Sequence, residues 1–270
     1  MKIDRKKAKE AFQNYVKDYD LREEKVRLKV EHTYRVSDLS ENVAKSLQLP
    51  QEDVDLAWLI GLLHDIGRFE QLKNYGTFID AQSINHAEYG ADILFNEGKM
   101  RIRDYVKDAS EDMLIKTAVT YHSAYRIPDN MDERTEMFCH IIRDADKIDI
   151  LKVNVDFPLE EIYNVTREEL RSGQVTEEVL DCFAQEQAVL RSLKRSAVDH
   201  VVGHISLVYE LVYPISLDLV IKQGYLEKMM NFSSDNPVTM KQFERIRKKM
   251  SKYVSNRKSN THKPGNRIVR

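Results

Sequence analysis

Apolar residues recur three and four positions apart along nearly all of this chain, the spacing that lines one face of a helix. Turn-formers are scarce: nine Gly and six Pro in 270 residues. That is too few for a β-sandwich or barrel, which must turn every few residues. The pattern predicts an all-α protein. Phe12, Tyr15, Val16 and Tyr19 form a short stripe near the start, and Val36, Leu39 and Val43 mark a helix over about 26–47. Ala57, Ile60 and Leu63 mark the next, with Gly67 read as its C-cap and residues 68–84 as a loop. Further helices follow from Asn85, around Ile115, Ala118 and Val119, and around Phe138, Ile141, Ile142 and Ala145. The helical pattern continues beyond Pro158 without a Pro/Gly/Ser-rich linker.

Several classes are excluded. No stretch has the roughly 18 uncharged apolar residues of a membrane span, and the first twenty residues are too charged for a signal peptide. Only Cys139 and Cys182 are present, with no CxxC spacing, so neither a disulfide framework nor a zinc ribbon is expected. A reducing cytoplasm fits. The net charge of −2 hides an asymmetry: from Lys241 to Arg270 eleven Lys/Arg face one acid (Glu244), giving +10, and residues 1–240 carry −12. A basic tail can contact nucleic acid or anionic membrane. The reading taken is the plainer one, a solvated helix end followed by a disordered terminus from Ser255.

The histidines carry the chemistry. His32 precedes Val36, Leu39 and Val43 by four, seven and eleven residues, and so shares their stripe. His64 follows Ala57 and Ile60 on an apolar face; His86 precedes Ile93 by seven; His122 follows Ile115, Ala118 and Val119. Asp65 and Asp146 sit beside core-facing residues, where a carboxylate is costly unless paired or bound to metal. One core histidine is ordinary packing, but four on successive helices with two such carboxylates are satisfied together by a shared metal centre. Mixed imidazole and carboxylate donors suit iron, manganese, zinc or cobalt better than calcium.

The ordered set of His32, LLHDIGR around His64-Asp65, and RDADKID around Asp146 resembles the HD-domain superfamily of metal-dependent phosphohydrolases. The resemblance covers roughly residues 26–152 and is extended by His86 (NHAEYG) and His122 (TYHSAY). It implies two metals. Asp65 would bridge them, with His32, His64 and Asp146 completing one site and His86 and His122 the other. Divalent transition ions (Mn, Fe, Co, Ni or Zn) are expected, with Mg as a further option. The implied layout is an N-terminal helix over 1–19 packing on the bundle, a phosphohydrolase core over 20–155, a C-terminal helical lobe over 156–254 and a basic tail over 255–270.

Such a centre activates water and clamps a phosphoryl group, so no Ser, Cys or P-loop nucleophile is needed, and none is visible. Asp65, Arg68 and Lys147 are the expected catalytic groups, and Lys29, Arg35 and Arg68 the expected phosphate partners. Asp149, one turn after Asp146, is read as orienting a ligand. Phe69, Tyr75, Phe78 and Asp80 are candidates for substrate contact. His140, His200 and His204 are read as structural, and His262 as part of the tail.

Neither the HDxxED pattern of alarmone hydrolases nor the GYP signature of one cyclic dinucleotide phosphodiesterase group is present. A hydrolase of a small phosphate ester or anhydride, a nucleotide by expectation, is the reading taken. Two rivals remain: a di-iron oxygenase built on the same ligands, and a non-catalytic nucleotide-binding or regulatory protein. No membrane partner is expected, and oligomeric state is left open.

Overall fold

Local caps fix several of the helix ends. The structure is a computed structural model describing residues 1–96, 98 and 100–261, the last two by backbone alone. It is all-α, with no strand among the described residues. No helix among them is long and apolar enough to cross a membrane. Contacts divide the chain into two compact units, Met1–Asp149 and Ile150 onward.

The first unit holds α1 (Arg5–Val16), α2 (Glu24–Ser46), α3 (Gln51–Leu63), α4 (Ile66–Tyr75), α5 (His86–Phe95), α6 (Ile102–Tyr105), α7 (Asp112–Tyr121) and most of α8 (Glu133–Asp156). Asp4 caps α1, its Oδ1 accepting from the Lys6 and Lys7 amides at 3.1 Å; Asn85 does the same for α5. α3 is apolar all round and buried on every side from Leu56 to Leu63, as a central helix must be. Gly61 lets α2 approach it: a Cβ there would lie 2.6 Å from Ser37 Cα.

Two expectations are corrected here. Gly67 does not end a helix, and residues 68–84 are not all loop. α3 stops at Leu63, and α4 begins at Ile66 and runs to Tyr75, with Gly76 at φ 66° as its C-cap. Gly67 lies in the first turn of α4, where a Cβ would meet the His86 carbonyl at 2.2 Å and Gly90 N at 2.7 Å. Glycine is there for close helix packing, and His64-Asp65 occupy the junction between two helices.

α1 underpins that junction. Phe12, Tyr15 and Tyr19 surround Phe69, with ring centroids 5.4–6.0 Å apart. The Tyr15 hydroxyl donates to the carbonyl of Ile66 at 3.1 Å, one residue past Asp65. Arg5 ties the helix to α2 and α3 through Glu41 (2.7 Å) and Asp55 (2.6 Å).

The second unit carries α9 (Leu159–Tyr163), α10 (Arg167–Ser172), α11 (Glu177–Ala184), α12 (Ala197–Ser206), α13 (Pro214–Gln223), α14 (Tyr225–Met230) and α15 (Pro237–Thr261). Asp199, fully buried at the start of α12, accepts from the Thr176 amide and hydroxyl and from the amides of Arg195 and Ser196. The final helix runs to Thr261, so residues 255–261 are helical where a disordered tail was expected. Residues 262–270, His262 among them, lie outside the described residues.

Candidate metal centre

Six side chains from five helices converge in the first unit, all nine-tenths or more buried. His32 (1% exposed) comes from mid-α2, and His64 and Asp65 (0% and 2%) from the α3–α4 junction. His86 (1%) is the first residue of α5, His122 (2%) follows the last residue of α7, and Asp146 (9%) lies within α8. Two groups of three, His32–His64–Asp146 and His64–Asp65–His122, each hold their ligand atoms within 4.8 Å of one another. His86 Nε2 joins them, 3.1 Å from His122 Nε2 and 3.4 Å from Asp65 Oδ1.

The imidazoles are oriented by what their Nδ1 atoms meet. At a helix C-terminus the last carbonyls have no intrahelical partner. His64, just past α3, donates from Nδ1 to the Gly61 carbonyl at 2.8 Å. His122, just past α7, donates to the Val119 carbonyl at 2.7 Å. His32 in mid-helix and His86 at a helix start have no such carbonyl to hand, and each takes a carboxylate. His32 Nδ1 lies 2.7 Å from Asp149 Oδ2, and His86 Nδ1 lies 2.8 Å from Asp80 Oδ2.

With four Nδ1–H groups spent outward, the four Nε2 lone pairs point inward. His64 Nε2 and His32 Nε2 are 3.3 Å apart, a contact between two acceptors that only a cation or an added proton can make favourable. The carboxylates repeat the pattern. Asp65 Oδ2 lies 3.5 Å from His32 Nε2 and 3.6 Å from His64 Nε2, while its Oδ1 lies 3.4 Å from His86 Nε2 and 3.6 Å from His122 Nε2. Asp146 Oδ1 faces only the first pair, at 3.2 Å from His32 and 3.8 Å from His64. This donor set fits a divalent transition metal.

Protonation follows the surroundings. Burial pushes His64 down to about 4, and burial with the Arg68 charge pushes His86 down to about 3, so both rings are neutral donors near neutral pH. Burial and Lys29 also press His32 down, but its bonds to Asp146 and Asp149 outweigh them and leave it raised. Burial acts against ionisation of Asp65, yet Lys29, His64, His122 and Arg68 hold it well below the usual carboxylate range.

The expected substrate partners divide. Lys29 Nζ is 2.7 Å from Asp65 Oδ2. Arg68 donates from Nη1 to Gln71, the Phe78 carbonyl and Asp80, while its buried Nε has no hydrogen bond and lies 3.6 Å from Asp65 Oδ1. Both cations lie over the Phe78 ring, at 5.4 and 5.8 Å. Arg35 differs from expectation: its fork grips Asp149 through Nε (2.7 Å) and Nη2 (2.9 Å). Lys147 is buried one residue after Asp146. Asp80 is committed to His86 and Arg68 rather than offered to substrate, Phe69 is core, and Tyr75 is half-exposed.

One supporting residue escaped the sequence reading. Arg143, buried on α8, donates to the carbonyls of Tyr121, Ala124 and Tyr125 and so holds the chain around His122. Its only signal in sequence is an arginine on the apolar face three residues before Asp146.

An all-α bundle with this ordered H…HD…H…H…D constellation defines a class of metal-binding helical domain. Residues 30–154 match the family model of the HD domain. HD domains bind divalent metals and are generally metal-dependent hydrolases. No curated protein and no solved structure matches the chain.

Proposed function

We propose that this chain is a metal-dependent phosphohydrolase that cleaves a phosphate ester or anhydride of a small molecule, a nucleotide by preference, using two divalent transition-metal ions. The observation that carries this is the double-faced Asp65. One oxygen looks toward His32 and His64, the other toward His86 and His122, with every Nδ1 engaged elsewhere. In this reading His32, His64, Asp146 and Asp65 Oδ2 hold one ion, and His86, His122 and Asp65 Oδ1 the other. When bound, the ions supply an activated water and offset the charge of the phosphoryl group.

The chain's own cations do the rest. Arg68 offers its unbonded Nε–H to a phosphate oxygen, and Lys29 supplies a second positive charge from the same side of Asp65. Both stand over Phe78, which offers an apolar face beside the charged group. Lys147, following Asp146, is the further cation assigned to the reacting phosphate. Arg35 serves at one remove, fixing the carboxylate that fixes His32. The partner is a small phosphorylated molecule.

The test is phosphate release from a panel of nucleotides, with manganese, iron, cobalt or magnesium added in turn. His64→Ala and Asp65→Ala serve as controls. Turnover of at least one nucleotide, lost in both controls, is expected. Tight nucleotide binding with no turnover under any metal would replace the reading by a binding role. Oxygen uptake without phosphate release would replace it by an oxygenase.

A further inference from the structure

The basic residues from Lys241 to Thr261 lie on the last helix, α15. Lys241, Arg245, Lys248 and Lys252 follow one another at steps of four, three and four, which puts them in one row along α15. The row advances about 16 Å along the helix axis, with about 4.5–6 Å between neighbours. All four residues are exposed, and among the described residues none meets an acid. Glu244, the single acid among residues 241–261, pairs with none of them.

The other cations of the helix are occupied. Arg247 donates to the Met230 carbonyl at 3.0 Å, Lys249 pairs with Glu186 at 2.8 Å, and Arg257 bonds Tyr253 and the Val212 carbonyl. The row is also fixed in direction. Phe243, Ile246 and Met250 are 0–1% exposed on the opposite face, and Gln242 bonds both backbone groups of Val175.

We propose that this row is a docking surface for the sugar-phosphate backbone of a nucleic acid. Four unneutralised cations in a narrow line match a line of phosphates, and each phosphate contact releases a condensed counterion. The charge of the remaining chain sharpens the match. Residues 1–240 carry −12, so a polyanion is repelled elsewhere and confined to the row. A lipid surface fits less well. An interfacial helix sinks its apolar face into the bilayer, and the apolar face of α15 is already spent in its own unit's core.

The test is a titration of the full-length protein into a labelled 20-nucleotide single-stranded RNA, followed by fluorescence anisotropy from 50 to 200 mM salt. Four phosphate contacts give a slope of log K against log salt near −3, or about 50-fold weaker binding across that range. The variant K241Q/R245Q/K248Q/K252Q should lose binding at least tenfold at 50 mM salt. A control with the same change in net charge, K6Q/K17Q/K116Q/K222Q, should stay within about twofold. The single variant K248Q should flatten the slope by about 0.7. If the fourfold variant melts differently from the parent protein, the four single variants carry the test.

The proposal is overturned by absence of binding at 50 mM salt, or by stripe variants that bind as the parent does. Tighter binding to vesicles containing 30% phosphatidylserine than to RNA would overturn it in favour of a membrane. A dimer seen by sedimentation and lost in the fourfold variant would overturn it in favour of a second copy of the chain.

Discussion

Both units set histidines beside polar or aromatic partners, buried in the first and half-buried in the second, and they use them in opposite ways. In the second unit His200 stacks on Tyr163 with ring centroids 5.0 Å apart and planes at 24°, and His204 lies 5.4 Å from the same ring. Asn154 Oδ1 accepts from the Tyr163 hydroxyl and from His204 Nδ1 at 2.8 Å. These rings lie against an aromatic face. In the first unit four Nε2 atoms face one another and two carboxylates at 3.1–3.8 Å. The difference shows that two histidines one helical turn apart do not by themselves mark a metal site. What marks it is outward anchoring of every Nδ1, which leaves lone pairs converging on nothing the chain itself can supply.

The harshest way to break this comparison is to compare His64→Ala with His204→Ala. His64→Ala should strip bound metal and cut phosphate release about 10³-fold, the several kcal/mol that metal-assisted charge stabilisation supplies. His204→Ala should leave metal content, read by plasma mass spectrometry, where it was. Equal metal loss in the two would erase the distinction. The next largest effect belongs to the anchoring carboxylates. Asp149→Asn and Asp80→Asn should each weaken metal binding about 10–100-fold in a chelator competition. On the two-ion proposal, Asp149→Asn would act on the ion held by His32 and Asp80→Asn on the ion held by His86, so each should lower the metal content toward one ion per chain. An unchanged chelator curve in both would show that the rings are held by packing alone.

Much of this site was legible in the sequence, because helical spacing alone puts His32, His64, His86, His122 and Asp146 on apolar faces. The anchors were only half legible. Asp149 is one turn from Asp146 and could be read as an orienting group. Asp80 sits in a segment without periodicity, so nothing tied it to His86. The carbonyl anchors of His64 and His122 follow from helix ends, and the end before His64 was misplaced at Gly67. Gly67 reads as a C-cap by residue preference, but its lack of a side chain serves contact with α5 instead. Close approach between helices distant in sequence leaves no periodic trace, and neither does Arg143 gripping three carbonyls. Within the tail, charge and composition outweighed helix propensity in the reading. In the structure Phe243, Ile246 and Met250 anchor this helix in the core, and it runs on to Thr261.

The second unit's cluster should answer to stability rather than to metal. Asn154→Ala removes the acceptor shared by Tyr163 and His204 and leaves the two with the bond between them, a loss of about 1 kcal/mol. A urea midpoint shifted to lower concentration with metal content unchanged is the expected result. A loss of metal without a stability change would invert the comparison.

The smallest effects are electrostatic and depend on pH. Lys194 lies along α12, its Cε and Nζ where a Cβ on Gly203 would come within 2.5 Å. Burial, with the nearby charge of Arg191, pushes its ammonium down to about 8 from 10.5. Below pH 8 folded and unfolded chains both hold this proton, and the folded state bears the cost of burying it. Between pH 8 and 10.5 only the unfolded chain holds it, so this group's contribution to stability rises with pH across that window. Allowing for solvent screening of a side chain that stays partly exposed, the rise is about 1–2 kcal/mol. Lys194→Met should therefore be the more stable protein at pH 7 and lose that advantage by pH 10.5 in paired urea titrations. His200 follows the same logic at lower pH. Burial and Lys194 hold it near 4, so between about pH 6.5 and 4 the unfolded chain gains a proton that the folded chain resists, and stability falls with acid. His200→Gln should flatten that fall by about 1 kcal/mol, discounted for its exposure. A His200 that instead gained stability as the pH dropped from 6.5 to 4 would be held by an acid, as His32 is, and the contrast between the two clusters would fail at that residue.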